Sequence, residues 1–497
     1  MQRKYCQKES NLSEGIRESF TLSEYIKEKE KERNPQDKGE TVHLKGEKAL
    51  FSQVLKAVEI YFDQDFQETD DLAKTLKIER EKRAIMGFSE EMRLYKERIR
   101  EVIERLGLQG TPYPQWYPNL TEAVFAELYG LSGLAPWAYD MDPIYKESSS
   151  AKLIGERLYC LIDGKSQLQP QRIPKERREK LKRALLLATP SERLEYGFHE
   201  VYLRNGIRIT IYSGRRTKDD QDIMVFRKYI MKDYSFQTLA EKGTIPDQAI
   251  PLFETMVKAG FNVIFSGQVR SGKTTFMQVW QTYENPDLEG LAVATDPETP
   301  WHHIMPKTPI MQIVADGKDL EVLNRSLLRG DNDYILLEEM RDAQAFQMAI
   351  DITSTGTRRS KATIHESDPL NIPYRMASKI RARYGGNQKQ LESQVLKNFD
   401  YVIQLYQDPE DRSKKIMDSI AEYSFDPVNG RGEITFICRR MDDGSWKWNN
   451  HLSQSARRTA QGEEKQVDRF SEILKSLSGG KSIPQWTVVP PGFTGEG

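Results

Sequence analysis

Apolar side chains fall at helical spacing in residues 47–62, where Leu50, Val54, Val58 and Tyr61 line one face. Over 78–107 Met86, Met92, Ile99 and Val102 recur among charges and predict one long helix. The stretch before them, around 24–33, is charged on every helical face and carries too little apolar area to fold by itself. Gly110 and the prolines at 112, 114 and 118 mark a boundary. Beyond it, a helix at 121–131 and short alternating strands near 158–162 and 201–212, with Gly206 and Gly214 as turn residues, predict a small α+β domain. From a helix at 249–259 and a strand at 261–266 the pattern alternates strand and helix to about 450, which predicts a mostly parallel sheet with crossovers. A last amphipathic patch, Phe470, Ile473, Leu474 and Leu477, precedes a Gly- and Pro-rich end expected to be mobile. The expected division is therefore a charged helical extension over 1–115, a small α+β domain over 116–235, an α/β domain over 236–450, and a polar tail over 451–497.

Composition changes this picture in two places. The 497 residues suit about three domains at roughly 100–200 residues each. The chain holds 73 Lys and Arg against 74 Asp and Glu, a net charge of −1, which argues against a generally basic coat for nucleic acid. Charge is concentrated early: 42 of the first 100 residues are ionic, 21 of each sign, so much of the polarity belongs to the extension. No run of 18 apolar residues occurs and the N-terminus lacks the apolar core of a signal peptide, so a cytoplasmic chain is expected. Cys6, Cys160 and Cys438 are too far apart for a zinc knuckle or a disulfide framework.

The most specific chemistry lies in Gly267-Gln268-Val269-Arg270-Ser271-Gly272-Lys273-Thr274, a full match to G-x-x-x-x-G-K-[ST]. An apolar strand, Asn262 to Phe265, leads into it and a helix over 275–282 follows. Strand, glycine turn and helix N-terminus form a nest of backbone N–H groups that suits a triphosphate. In that reading Gly267, Val269, Arg270, Ser271 and Gly272 wrap the phosphates and Lys273 bridges the terminal pair. Thr274 ligates Mg²⁺ and Thr275 touches the first phosphate.

Such a loop needs carboxylates from a neighbouring strand. The run Tyr334-Ile335-Leu336-Leu337 ends in Glu338 and Glu339, at the strand edge where open α/β sheets bind ligands. Glu339 is the candidate base or water-orienting group, and Glu338 either joins the metal shell or faces outward. Asp296 or Glu298, in an acidic turn after the short strand 292–294, reaches the nucleotide or is a plain turn. Thr363 and His365 end a further short strand, where a hydroxyl and an imidazole suit a contact to the terminal phosphate or a structural role.

In order and spacing these pieces, over residues 119–440, resemble the secretion and pilus ATPase superfamily of bacterial type II and type IV secretion systems. The resemblance is strongest to tight-adherence (Flp) pilus assembly ATPases and their conjugation relatives. Glu338-Glu339-Met340-Arg341-Asp342 stands where that family has Gly-Glu-[Ile/Met]-Arg-Asp, and Thr355-Gly356 followed by Thr363-Ile364-His365 is similar to its His box. Gly206-Ile207-Arg208 and Val225-Phe226-Arg227-Lys228 resemble strands that send an arginine toward the nucleotide. Departures stand beside these: Thr295-Asp296 replaces Glu-Asp, Thr357 takes the place of the first histidine, and Glu338 that of the glycine.

The resemblance implies an α/β, RecA-like P-loop NTPase core preceded by a small PAS-like α+β domain. It implies ATP and Mg²⁺, with Glu339, Glu298, His365, Arg227 and Arg208 as catalytic candidates and Thr274, Asp296 and Glu338 as metal candidates. It also implies a homo-hexamer, cytoplasmic and peripheral on the inner face of the membrane, that meets an inner-membrane platform protein. Such a motor moves a pilin or secreted substrate indirectly and needs no direct nucleic-acid contact. The alternatives are an ATP-binding structural subunit with weak hydrolysis and a RecA-like nucleic-acid motor.

Overall fold

The computed structural model describes residues 39–64, 71–189, 197–218, 221–228, 233–294, 299–315, 317–327, 330 and 332–493, the side chains of 39–48, 63–64, 71–74, 325 and 491 excepted. The chain divides into two units, Met1–Ile78 with Arg93–Gly130, and Glu79–Met92 with Leu131–Gly497.

In the first unit, helix Gly39–Gln64 buries Val54, Val58 and Phe62, and helix Ser89–Arg105 buries Ile99, Val102 and Ile103. The ring of Tyr129 lies 5.2 Å from Phe62 and 4.7 Å from Tyr95, so three aromatics close this small core. The long helix expected over 78–107 is two helices, Asp71–Ile85 and Ser89–Arg105. Gly87 separates them at φ 89°, a left-handed backbone that a continuing helix cannot hold. The elbow belongs to the second unit. The Arg204 backbone N–H donates to the Met86 carbonyl at 2.8 Å, and the Phe88 ring takes Arg83 at 4.1 Å and Arg204 at 5.6 Å.

The second unit holds two sheets. The smaller joins β1 (Ser150–Ile154), β2 (Arg157–Ile162), β3 (Lys165–Arg172), β4 (Phe198–Tyr202), β5 (Arg208–Tyr212) and β6 (Ile223–Arg227) in the order β3-β2-β1-β6-β5-β4. Every pairing is antiparallel. Met224 and Phe226 of β6 point into the core while Ile223, Val225 and Arg227 point the other way. Residues opposite each other share a face, so Arg208 (opposite Arg227) and Lys152 (opposite Val225) lie on that outer side.

The larger sheet contains β7 (Val263–Gly267), β8 (Gly290–Ala294), β9 (Ile310–Val314), β10 (Tyr334–Met340), β11 (Lys361–Ile364), β12 (Tyr401–Gln407), β13 (Lys415–Asp426), β14 (Arg431–Arg440), β15 (Trp446–Trp448) and β16 (Thr487–Val488). Its order is β15-β14-β13-β12-β7-β11-β10-β8-β9, with β16 on β14. From β12 to β9 the strands are parallel, and β13 onward is an antiparallel extension. One strand, β11, sits between the loop-bearing β7 and the acidic β10, the RecA-like arrangement. Strands β7 and β8 are buried along their whole length because helices cover both faces. Helices Ile250–Ala259 and Lys273–Thr282 pack on one face, and Ala343–Ser354 and Ile372–Tyr384 on the other.

The stretch expected as a polar tail contains helix Glu464–Leu477. Its Phe470 ring is 5.9 Å from both Phe261 and Tyr401, edge to face, and Val467 and Leu474 are buried with it. Each such side chain removed from water contributes roughly 1.5–3 kcal/mol, which holds this helix to the sheet.

Candidate functional site

Strand β7 ends at Gly267 and helix Lys273–Thr282 begins six residues later. The turn between them depends on its glycines. A Cβ at Gly267 would lie 2.1 Å from the Leu405 carbonyl oxygen and 2.5 Å from Ser271 Oγ, so the loop is pressed against β12. Gly272 takes φ 90° at the helix N-cap, and Arg270 also has a left-handed φ of 66°. Ser271 is fully buried, and its hydroxyl has no hydrogen-bond partner. An unsatisfied buried hydroxyl in a glycine turn that leads into a helix start fits a phosphate-bearing ligand. Val269 is exposed, and Thr274 and Thr275 sit half-buried in the first turn.

Lys273 is nearly buried. Its Nζ donates to the Gln268 carbonyl at 2.8 Å and lies 3.2 Å from His365 Nδ1. An ammonium has no lone pair, so Nδ1 accepts and Nε2 carries the ring proton of a neutral imidazole. That Nε2 lies 2.6 Å from Glu339 Oε1 and donates to it. Arg341 takes the other oxygen, Oε2, at 2.6 Å. Lysine, imidazole, carboxylate and guanidinium thus form one chain from the helix N-terminus across the ends of β11 and β10.

Glu339 owes its position to a break in the ladder. The pairing of β10 with β11 shifts register between Leu337 and Met340, and Glu339 takes φ 65°. Its N–H donates to Thr363 Oγ1 at 2.8 Å, which satisfies the amide that the bulge frees. A non-glycine residue in this region stores on the order of 1–3 kcal/mol of strain. Burial alone would raise the Glu339 pKa, but hydrogen bonds from His365 and Arg341 and the charge of Arg341 take it down to about 2. The carboxylate is therefore ionised and engaged at neutral pH.

The other sequence candidates separate. Glu338 is buried and its Oε1 accepts the indole N–H of fully buried Trp301 at 2.7 Å. Arg208 pairs with Glu200 of its own sheet at 2.6 Å. Arg227 is exposed, and its charge acts on Arg270 of the loop. Asp296 and Glu298 lie outside the described residues. Sequence reading missed Arg375, which donates to the His365 carbonyl oxygen and pairs with Glu366 at 3.1 Å, so it fixes the backbone beneath the imidazole. Ten residues separate it from His365, and only the helix Ile372–Tyr384 folding back over β11 brings them together. Among the described residues no cluster of three or more His, Cys, Asp or Glu suits a metal; of the metal candidates Thr274 and Glu338 are described, Glu338 held by the Trp301 indole. No described helix is long and apolar enough to cross a membrane.

Residues 221–418 match the family model described as "Type II/IV secretion system protein", a span from β6 into β13 that includes the whole loop and the acidic strand. An uncharacterized protein of Bacillus anthracis is 20% identical over 209 residues, 41% of this chain and 45% of the relative, so the chain spans less than half the length of that relative. Among solved structures, the VirB11 ATPase from the Brucella suis type IV secretion system is 18% identical, covering 58% of this chain and 94% of that one at a TM-score of 0.30. The pilus retraction motor PilT, solved with bound ADP, is 16% identical over 70% and 91% at 0.43. The Legionella pneumophila ATPase DotB is 13% identical over 69% and 90% at 0.42.

Proposed function

We propose, from the premise that residues 221–418 belong to the type II/IV secretion system protein family, that this chain is an ATP-hydrolysing motor subunit that powers pilus assembly or protein secretion. The observation that carries the reading is the chain of contacts Lys273–His365–Glu339, which ties a phosphate-binding loop to an ionised carboxylate one strand beyond its neighbour. A triphosphate on the loop replaces the Gln268 carbonyl as the acceptor for Lys273, and the Ser271 hydroxyl gains its missing partner. A divalent cation such as Mg²⁺, held by Thr274 with Asp296, would neutralise phosphate charge when bound. Glu339 orients water toward the terminal phosphate. At a pKa of about 2 it is a weak base while both of its oxygens are engaged. Exchange of His365 or Arg341 onto phosphate would release it and raise its basicity. Arg227, exposed beside the loop, supplies transition-state charge within the subunit or across a subunit boundary.

The remaining features follow as part of the same proposal: a homo-hexamer, working at the cytoplasmic face of the membrane on a platform protein, with pilin or secreted substrate moved indirectly. The double engagement of Glu339 favours one second reading, a subunit that binds ATP with slow hydrolysis. Phosphate release by the purified full-length chain separates the two. We expect ATP-dependent release from the wild type and its loss, by at least about a hundredfold, in Lys273→Ala. Equal release by Lys273→Ala contradicts the site, and tight ATP binding without release by the wild type supports the second reading.

A further inference from the structure

A second group of cations stands beside the loop, supplied by parts of the chain that no motif marks. The hairpin 408–414, between β12 and β13, is braced internally: Asp408 Oδ1 accepts the N–H groups of Glu410 and Asp411 at 2.9 and 3.0 Å, and Asp411 Oδ1 accepts the Ser413 N–H at 3.0 Å. It is wedged between two other elements. On one side, a Cβ at Gly272 would lie 3.2 Å from Lys415 Cβ and Cγ, so the Lys415 stem runs along the phosphate loop. On the other, a Cβ at Gly164, in the β2–β3 turn of the smaller sheet, would lie 2.5 Å from Asp411 Oδ1 and 2.8 Å from the Arg412 nitrogen. The Lys415 ammonium donates back to the Arg412 carbonyl oxygen, which ties the start of β13 to the hairpin.

Three more cations interact electrostatically with this pair or with each other: Arg270 of the loop, and Lys152 and Arg227 on the outer face of the smaller sheet. Burial, then the charges of Arg270, Arg412 and Arg227, lower the Lys152 pKa. Burial, then Arg227 and Arg412, lower that of Arg270. Lys415 falls to about 8 through burial and Arg270, with Asp411 offsetting part of the effect. Five like charges drawn together over partly buried ground repel one another, and an anion of high charge relieves that repulsion.

We propose that the β12–β13 hairpin is a second phosphate arm, in which Lys415 and Arg412, with Lys152 and Arg270, receive the terminal phosphate of a nucleoside triphosphate and distinguish it from a diphosphate. The inference rests on the phosphate-loop reading above and deepens it. Lys273 approaches the ligand from the helix N-terminus and from β11. The arm approaches from β13, beyond Gly272, and its contact with Gly164 carries the presence of the last phosphate to the smaller sheet. Lys415 and Arg412 are positioning and specificity residues in this account, since they hold charge rather than a reacting atom.

Equilibrium titration of the full-length chain tests this with three probes: ADP, a non-hydrolysable ATP analogue and inorganic tripolyphosphate. In Lys415→Met the analogue should bind about tenfold more weakly while ADP changes by less than about twofold, since one charge-assisted contact is lost from the last phosphate alone. Arg412→Ala, at an exposed position, should act in the same direction by a smaller factor, and Lys415→Arg should restore most of the affinity. Equal losses for both nucleotides, or no loss for either, overturn the arm. Lys273→Ala, run alongside, separates the two claims. A wild type indifferent to both nucleotides that binds tripolyphosphate through Lys415 refutes the nucleotide reading and leaves the arm standing. Tripolyphosphate binding unaffected by Lys415→Met refutes the arm.

Discussion

Strand β11 carries a cation at its first residue and an imidazole just past its last, and the two ends of the sheet treat their charges in opposite ways. At the start, Lys361 is fully buried and its Nζ meets Glu284 Oε1 at 2.6 Å. Glu284 is buried too, and its second oxygen takes Arg359 at 2.8 Å, which also reaches Glu463 at 3.0 Å. The Lys361 ammonium lies 4.9 Å over the Tyr334 ring. Burial pulls the Lys361 pKa down to about 8 against the attraction of Glu284. At the other end, His365 and Glu339 remain 30% and 22% exposed, Ser271 has an unmet hydroxyl, and Arg270 and Glu339 hold left-handed backbone. In the closed network each oxygen of Glu284 already holds a buried cation. The open chain keeps each bond exchangeable and stores strain beside it. Buried charge alone therefore does not mark a site, and neither does strained backbone, since Arg359 of the closed network also takes φ 58°; partly exposed, exchangeable bonds beside the glycine loop do.

This contrast breaks first at Lys361. Lys361→Met leaves Glu284 with one buried partner fewer, and the expected loss is about 3–5 kcal/mol of stability. Thermal melting should fall markedly while nucleotide affinity, measured well below the transition, stays at the wild-type value. A variant that melts normally yet fails to bind nucleotide would reverse the assignment of the two ends. His365→Ala should do the converse with a smaller energy. Phosphate release should drop by roughly ten- to a hundredfold, about 1.4–2.7 kcal/mol, with melting nearly unchanged. A large melting shift in this variant would make the imidazole a structural group like Lys361.

How much of this was legible in the sequence depended on distance along the chain. The phosphate loop could be read because strand, turn and helix are contiguous, and the apolar run before Glu338 and Glu339 marked a central strand for the same reason. The bulge that gives Glu339 its φ of 65° could not be read, since it arises from the register of β10 against β11. Lys415 lies over Gly272 only because β13 folds back beside β12, and nothing local to Lys415 signals that. Strand β3, with mostly exposed polar residues and Pro170, lacks the alternation that revealed its neighbours. Phe470 and Leu474 were visible as an amphipathic patch, but their partners Phe261 and Tyr401 lie far upstream.

The central claim is that the open end of the sheet hydrolyses ATP through Glu339, and the fate of bound nucleotide tests it most directly. Wild type and Glu339→Gln are each loaded with ATP and Mg²⁺, freed of excess ligand, and the retained nucleotide is resolved by chromatography over time. The account predicts that the wild type converts its ATP to ADP while Glu339→Gln binds as tightly and keeps ATP intact, at least about a hundredfold more slowly converted. Conversion by Glu339→Gln at the wild-type rate would contradict it.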